Sequence, residues 1–136
     1  MLVLRPADVE ETTQAWKLAM ENTATPTALI FSRQNIANLP AGTDYTQTAK
    51  GAYIVAGADE NPDVILVASG SEVSTLVAGA ELLRKDGVKL RIVSVPSEGL
   101  FRSQSKEYQE SIIPTDAKVF GLTAGLPVNL QGLVGH

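Results

Sequence analysis

The chain has 136 residues, of which 44% are hydrophobic and 19% are charged, a balance typical of globular proteins and opposite to that of disordered ones. A net charge of −4 argues against a general nucleic-acid surface, which needs a basic patch, and no apolar run approaches the ~20 residues that span a bilayer. Cysteine is absent, which excludes disulfides and thiolate metal sites. We therefore expect a cytoplasmic protein that binds neither nucleic acid nor a membrane.

The first elements are predicted to form a βαβ unit. Leu2 to Leu4 has the pattern of the end of a strand, and Asp8 is predicted to cap a helix that ends near Asn22, with Glu11 at the capping-box position. Helical spacing predicts that one face of this helix is buried. The residues of that face are Val9, Thr12, Trp16, Ala19 and Met20, so Trp16 is expected in the core. The apolar run at 28–31 predicts a strand buried on both faces. Because such a pair of parallel strands needs a larger sheet, the chain is expected to begin inside a domain.

A second α/β unit is predicted after a linker at Leu39 to Lys50, where proline, glycine and threonine break both periodicities. Two strands, at 51–56 and 63–68, flank a turn-rich segment and resemble a hairpin. The next elements are a helix from Ser71 to Lys85 closed by Gly87, a strand at 89–95, a helix at 99–111 with Phe101, Tyr108 and Ile112 on its apolar side, and a strand at 118–122. The tail at 123–136 is apolar and lacks an element to cover it, so the chain is also expected to end inside a larger unit.

This order of elements predicts the α/β fold class. Strands that alternate with helices through short connections form a three-layer α/β/α domain with a mostly parallel sheet. The partial βαβ unit at the start of the chain precedes that domain.

Arg33 is the leading candidate for a ligand-binding residue. It follows the predicted strand at 28–31 within a cluster of hydrogen-bonding side chains that includes Ser32 and Gln34. Ligands of open α/β sheets bind at the carboxyl ends of such strands. A guanidinium at this place offers a planar fork of donors that matches a phosphate or carboxylate. The alternative is a structural ion pair between Arg33 and a neighbouring carboxylate.

The other candidates have structural explanations. The turn from Ser69 to Glu72 lies where phosphate-binding turns lie, but it lacks their glycine patterns, and Ser69 with Glu72 fits a capping box better. Glu98 has the chemistry of a general acid or base, whereas a helix capped by Ser97 explains it without function. A lone His136 builds neither a metal site nor a catalytic dyad. No catalytic, cofactor-binding or metal-binding residue is therefore assigned.

Four separated motifs carry a resemblance to a known family. They are Arg5-Pro6-Ala7-Asp8, Pro26 to Asn35, Ala68 to Val73 and Arg91 to Ser97. Their order and spacing, from Arg5 to Ala117, resemble those of transketolases. The resemblance implies that residues 1–45 are the end of the pyrimidine-binding domain with its linker, and that residues 46–136 are the carboxy-terminal domain, truncated at its end.

The resemblance also implies a function. Transketolases use thiamine diphosphate with Mg²⁺ or Ca²⁺ to move a two-carbon ketol unit from a ketose phosphate to an aldose phosphate in the pentose phosphate pathway, and they are homodimers. By position, Arg33 would bind the phosphate of these sugar phosphates, with Ser32 and Gln34 as supporting residues.

Departures from the family limit that expectation. The diphosphate- and metal-binding domain, the glutamate that activates the cofactor and the catalytic histidines are absent from this chain. We therefore expect the chain alone to be inactive and to bind no cofactor. Two alternatives remain open: a non-catalytic α/β module for dimerisation or anion binding, and a piece of the related dihydroxyacetone synthase.

Overall fold

The computed structural model describes residues 1–57 and 61–134, which form two sheets with helices packed on them. In chain order the α-helices and strands are β1 (Leu2–Leu4), α1 (Val9–Glu21), β2 (Thr27–Leu29), β3 (Tyr53–Ala56), β4 (Val64–Ala68), α2 (Glu72–Lys85), β5 (Leu90–Ser94), α3 (Glu98–Arg102), α4 (Lys106–Ile112) and β6 (Val119–Leu122). Two short 3₁₀ helices lie at Tyr45–Lys50 and Pro127–Leu130.

The larger sheet confirms the predicted three-layer α/β fold. Its strand order is β3-β5-β4-β6, with β4 parallel to β5 and β6, and β3 antiparallel to β5. Side chains of α2 pack on one face, where Val73 joins a cluster with Leu66 and Ile92. The other face packs Phe101 of α3 and Ile112 of α4. Burial on both faces agrees with the continuous apolar sequence of β4.

The predicted hairpin between the strands at 51–56 and 63–68 is wrong. β3 pairs with β5 at the edge of the sheet, whereas β4 occupies the interior between β5 and β6. Glycine at position 57 permits the close approach to β5 that this pairing brings, because a Cβ there would lie 1.7 Å from the Leu90 oxygen. The predicted turn at 57–62 includes residues 58–60, which lie outside the described part of the chain.

Of the two helices predicted for the second α/β unit, the first agrees with the structure and the second does not. α2 begins one residue later than expected and is followed by Gly87 at φ +80°, as a glycine after a helix end should be. The single helix predicted at 99–111 is wrong, because α3 ends at Arg102 and α4 begins at Lys106. The Ser105 side chain accepts a hydrogen bond from Tyr108 N and caps α4, and this cap ends the continuity.

The first unit, β1–α1–β2, has the predicted order but a different buried face. β1 and β2 pair in parallel as a two-stranded sheet, and α1 turns Glu11 and Ala15 inward. The predicted face is wrong for three of its five residues: Val9, Trp16 and Met20 are 61%, 52% and 77% exposed. Thr12 and Ala19 are half-buried. β2 is half-buried rather than buried on both faces. Helix α1 packs beside β2, and α3 lies beside β1.

Two segments without predicted elements are ordered against the core. The expected linker at Leu39 to Lys50 contains the first 3₁₀ helix and buries Leu39 and Thr48. In the tail, Leu130 and Leu133 pack into the cluster around Phe101, so part of it is covered by the chain itself. His136 lies outside the described residues.

Candidate functional site

Arg33 lies on an exposed loop just after the carboxyl end of β2. β2 pairs in parallel with β1, so the position agrees with the strand-end argument. Within residues 1–57 and 61–134, the structure shows no ion pair or hydrogen bond of the Arg33 side chain. The alternative of a structural ion pair therefore has no support in the described part of the chain, and the donor fork is available to a ligand.

Ser32 and Gln34 lie on either side of Arg33 and shape its turn. The Ser32 hydroxyl accepts a hydrogen bond from Gln34 N at 3.0 Å. This bond reverses the backbone locally around Arg33. Both residues are exposed, so their side chains, like that of Arg33, lie on the same accessible loop.

One end of this loop is held by the end of β1 and the other by the residue that caps α1. At the start, Ile30 N donates to Leu4 O at 2.9 Å, which continues the pairing of the two strands. At the end, Leu39 N donates to Asp8 Oδ2 at 2.8 Å. The loop is exposed from its first residue, Ile30, and returns to the core at Leu39, which is buried.

Phe31, next to this turn, packs on α1. Its ring stacks on Trp16 with 6.3 Å between centroids and 28° between planes. Both rings stay about half exposed, so the expectation that Trp16 belongs to the core is wrong. Trp16 instead supports the exposed loop.

A buried carboxylate joins the first unit to the larger sheet. Glu11 of α1 is fully buried, and its Oε1 accepts hydrogen bonds from Tyr53 Oη at 2.7 Å and Ser94 Oγ at 2.6 Å. Tyr53 and Ser94 are directly paired across β3 and β5, which brings both hydroxyls to one oxygen. Oε2 accepts from Ala7 N at 2.7 Å. We call Glu11, Tyr53 and Ser94 the seam.

Burial changes the titration of the seam. Loss of solvation raises the pKa of Glu11, although hydrogen bonds from Ser94, Tyr53 and Ala7 oppose the rise. The pKa of Tyr53 is raised by its own burial and by the neighbouring Glu11 charge. The phenol therefore stays protonated and remains a donor to Glu11.

Asp8 supplies a second carboxylate next to the seam. Its Oδ1 accepts from Glu11 N at 2.9 Å and caps α1. Besides Leu39 N, its Oδ2 accepts from Tyr45 Oη at 2.6 Å. Burial and this hydrogen bond raise the pKa of Tyr45, which keeps the phenol a donor.

Sequence reasoning found the cap but missed the seam. Asp8 caps α1 as predicted, whereas Glu11 turns inward and accepts from Ala7 N instead of completing the box at Asp8 N. The sequence features that belong to this cluster of contacts are two acids, Asp8 and Glu11, and two tyrosines, Tyr45 and Tyr53. Pattern alone does not bring these groups together, because their contacts depend on the fold.

The two turns at the carboxyl edge of the larger sheet have the structural roles of caps and ion pairs. The predicted capping box of Ser69 and Glu72 is wrong: Ser71 occupies the cap position without a side-chain cap bond. Glu72 instead accepts from Arg5 Nη2 at 3.3 Å, which ties the first unit to α2. Ser97 caps α3 as predicted.

A groove of about 500 Å³ opens above this edge. It is lined by both units, with polar side chains that include Arg5, Ser97, Glu98 and Arg102. Both arginines already have glutamate partners, since Arg102 Nε donates to Glu98 Oε1 at 2.7 Å. The groove therefore presents paired charges and no unpaired guanidinium.

The described residues form neither a metal site nor a membrane-spanning helix. Residues 1–57 and 61–134 contain no group of three or more His, Asp or Glu side chains placed to hold a metal ion. Across the same residues, none of the helices has both the length and the apolar character needed to cross a membrane.

Comparison with known proteins decides the family. A family model described as the Transketolase-like TK C-terminal domain matches residues 51–136. The chain therefore belongs to the transketolase family. The resemblance stated for its four sequence motifs is confirmed.

Relatives with similar sequences cover nearly all of this chain. The transketolase of Halalkalibacterium halodurans is 44% identical over 135 residues, which are 98% of this chain and 20% of that protein. The transketolase of Staphylococcus aureus strain MW2 is 47% identical over 138 residues, covering 99% of this chain and 21% of that protein. The chain thus spans about a fifth of the length of these relatives.

Solved structures agree with this family. A transketolase from Pichia stipitis in complex with sedoheptulose-7-phosphate has a TM-score of 0.86 at 36% identity and covers 97% of this chain and 19% of that chain. A Pichia stipitis transketolase variant in complex with fructose-6-phosphate gives the same values. The transketolase of Campylobacter jejuni has a TM-score of 0.83 at 34% identity, over 98% of this chain and 20% of that chain.

Proposed function

We propose that this chain is the segment of a full-length transketolase that binds the phosphate of sugar-phosphate substrates through Arg33. The observation that carries the proposal is the exposed guanidinium after β2, which has no partner within residues 1–57 and 61–134. A fork of unpaired donors matches two phosphate oxygens at once. The similar Pichia stipitis enzymes, solved with fructose-6-phosphate and sedoheptulose-7-phosphate, make sugar phosphates the expected ligands.

Ser32 and Gln34 have a supporting role in this proposal. The hydrogen bond from Gln34 N to the Ser32 hydroxyl sets the turn from which Arg33 projects. Holding the backbone of the turn before the ligand arrives lowers the entropy lost on binding. Neither side chain is assigned to the chemistry.

The described residues do not fit the thiamine diphosphate and divalent metal that the family implies. Residues 1–57 and 61–134 offer no cluster of metal ligands, and the turn before α2 carries Glu72, whose charge repels an anion at that helix terminus. In our proposal the cofactor and the metal are held by other parts of the full-length enzyme. We also propose that the full-length enzyme is a homodimer and that it is located in the cytoplasm.

The direct test replaces Arg33 in a full-length transketolase that carries this segment. Arg33→Ala should raise KM for fructose-6-phosphate, with a loss of about 2–3 kcal/mol for a charge-assisted bond to phosphate. Its kcat/KM for fructose, which lacks the phosphate, should stay unchanged. Arg33→Lys should restore only part of the loss, because an ammonium lacks the bidentate fork. An equal loss on both sugars, or none on either, would contradict the proposal.

A second test concerns the 136-residue chain itself. We expect the purified chain, supplied with thiamine diphosphate, Mg²⁺, a ketose phosphate and an aldose phosphate, to show no ketol transfer, because in our proposal the catalytic groups lie in other parts of the full-length enzyme. The full-length enzyme under the same conditions is the positive control. Detectable product from the isolated chain would show that the groups assigned to the remainder of the enzyme are not required.

A further inference from the structure

We propose that Asp8 is a positioning residue for Arg33, acting through the loop that carries it. This inference rests on the proposed role of Arg33 in phosphate binding. The loop from Ile30 to Leu39 leaves the small sheet, passes through the exposed turn and returns to the core. Asp8 holds its returning end.

The two loop anchors lie close together in the chain. Ile30 N donates to Leu4 O at 2.9 Å, and Leu39 N donates to Asp8 Oδ2 at 2.8 Å. Leu4 is the last residue of β1, and Asp8, four residues later, caps α1. The loop is therefore closed on one rigid base, and Arg33 lies in the exposed part between the two anchors.

Only the second anchor depends on a side chain. The first joins two backbone groups and extends the parallel pairing of β1 and β2, so most residue types at these positions preserve it. The second needs a side-chain oxygen at position 8. A substitution at Asp8 thus removes the hydrogen bond that fixes the Leu39 backbone, while β2 stays paired and the Leu39 side chain stays in the core.

Asp8 is well fixed for this task. It is 5% exposed, and its Oδ1 is occupied by Glu11 N at 2.9 Å. Its Oδ2 takes a second donor, Tyr45 Oη, at 2.6 Å. Hydrogen bonds to an ionised acceptor are stronger than those between neutral groups. A carboxylate held by three donors gives Leu39 N a partner with little freedom to move.

The expected consequence is a loss of preorganisation at Arg33. Without the bond from Leu39 N the loop samples more conformations, and restoring its order when phosphate binds costs free energy. The loss of affinity should be confined to substrates that carry a phosphate, because Arg33 contacts that group in our proposal. The chemical step involves other groups and should keep its rate once substrate is bound.

Asp8→Asn in the full-length enzyme tests this role. The asparagine oxygen can still cap α1, but its amide presents a donor where Leu39 N needs an acceptor. We expect kcat/KM for fructose-6-phosphate to fall about tenfold, the equivalent of about one lost hydrogen bond. The loss should appear in KM, with kcat and the values for fructose unchanged. Tyr45→Phe, which removes the other donor to Oδ2 and keeps Leu39 bound, should have a much smaller effect.

A double-mutant cycle with Arg33→Ala separates positioning from general stability. If Asp8 acts through Arg33, Asp8→Asn should cause no further loss for fructose-6-phosphate in the Arg33→Ala background. Should Asp8→Asn fail to fold, Asp8→Ser keeps a cap hydroxyl and replaces the carboxylate, so the oxygen that accepts from Leu39 N is lost. An equal loss in both backgrounds, or on fructose as well, would overturn the inference while leaving the role of Arg33 intact. An inert Arg33→Ala would instead refute the proposed function.

Discussion

The β1–α1–β2 unit and the four-stranded sheet share the same alternation of strands and helices, but they differ in what covers them. The larger sheet has helices on both faces, and Ile65, Val67 and Ile92 are fully buried. The smaller unit leaves Val9, Met20 and Phe31 about half exposed or more. The contrast teaches that apolar periodicity reports a face that can be buried, whereas the partner that buries it must come from elsewhere in the fold.

Core substitutions should show the largest difference between the two units. Ile65→Ala should lower the unfolding free energy of the chain by about 2–5 kcal/mol, because it leaves a cavity between well-packed layers. Met20→Ala, the matched deletion on the exposed face of α1, should change it by less than about 0.5 kcal/mol. Urea titrations followed by circular dichroism measure both. Comparable losses would mean that the Met20 face is packed after all.

The seam between the units should make stability depend on pH. The folded state holds the Glu11 proton to a higher pH than the unfolded chain does, since burial raises its pKa above the ordinary 4.5. The unfolding free energy should therefore fall as pH rises from about 4.5 through the raised pKa, by at most about 1.4 kcal/mol per pH unit.

Glu11→Gln should remove this contribution. Its unfolding free energy, relative to that of the unsubstituted chain, should increase as pH rises through the same window, measured by urea denaturation at each pH. Glu10→Gln makes the same charge change on an exposed neighbour and serves as the control. If the curves for Glu11→Gln and the unsubstituted chain stay parallel, the seam does not titrate as we infer.

The features predicted correctly from sequence are those with local causes. α2 was placed within one residue, because its apolar spacing and the glycine that follows it, Gly87, lie within the element and its end. The hairpin prediction failed because β3 pairs with β5, which follows it only after β4 and α2. The inward face of α1 was missed for the same reason: Glu11 is held by Ser94, 83 residues away. Arg33 was found through its strand-end position, whereas its anchor Asp8 was visible in sequence only as a cap.

Helix caps should produce a smaller difference. Ser105 Oγ accepts from Tyr108 N at 3.2 Å, and Ser105→Ala should cost about 1 kcal/mol of unfolding free energy. Ser71 stands at the cap of α2 without a side-chain cap bond, so Ser71→Ala should cost less than about 0.5 kcal/mol. Both are measurable by chemical denaturation. A larger loss at Ser71 would mean that its hydroxyl stabilises the start of α2 after all.

Arg33 should have the smallest effect on stability. Its side chain has no ion pair within residues 1–57 and 61–134, so Arg33→Ala should leave the unfolding free energy of the chain within about 0.5 kcal/mol. Arg5→Ala is the matched control, because it removes the ion pair with Glu72 that joins the two units. A stability loss at Arg33 equal to that at Arg5 would favour a structural ion pair over ligand binding. A neutral Arg33→Ala combined with a raised KM for fructose-6-phosphate would instead assign this side chain to the ligand.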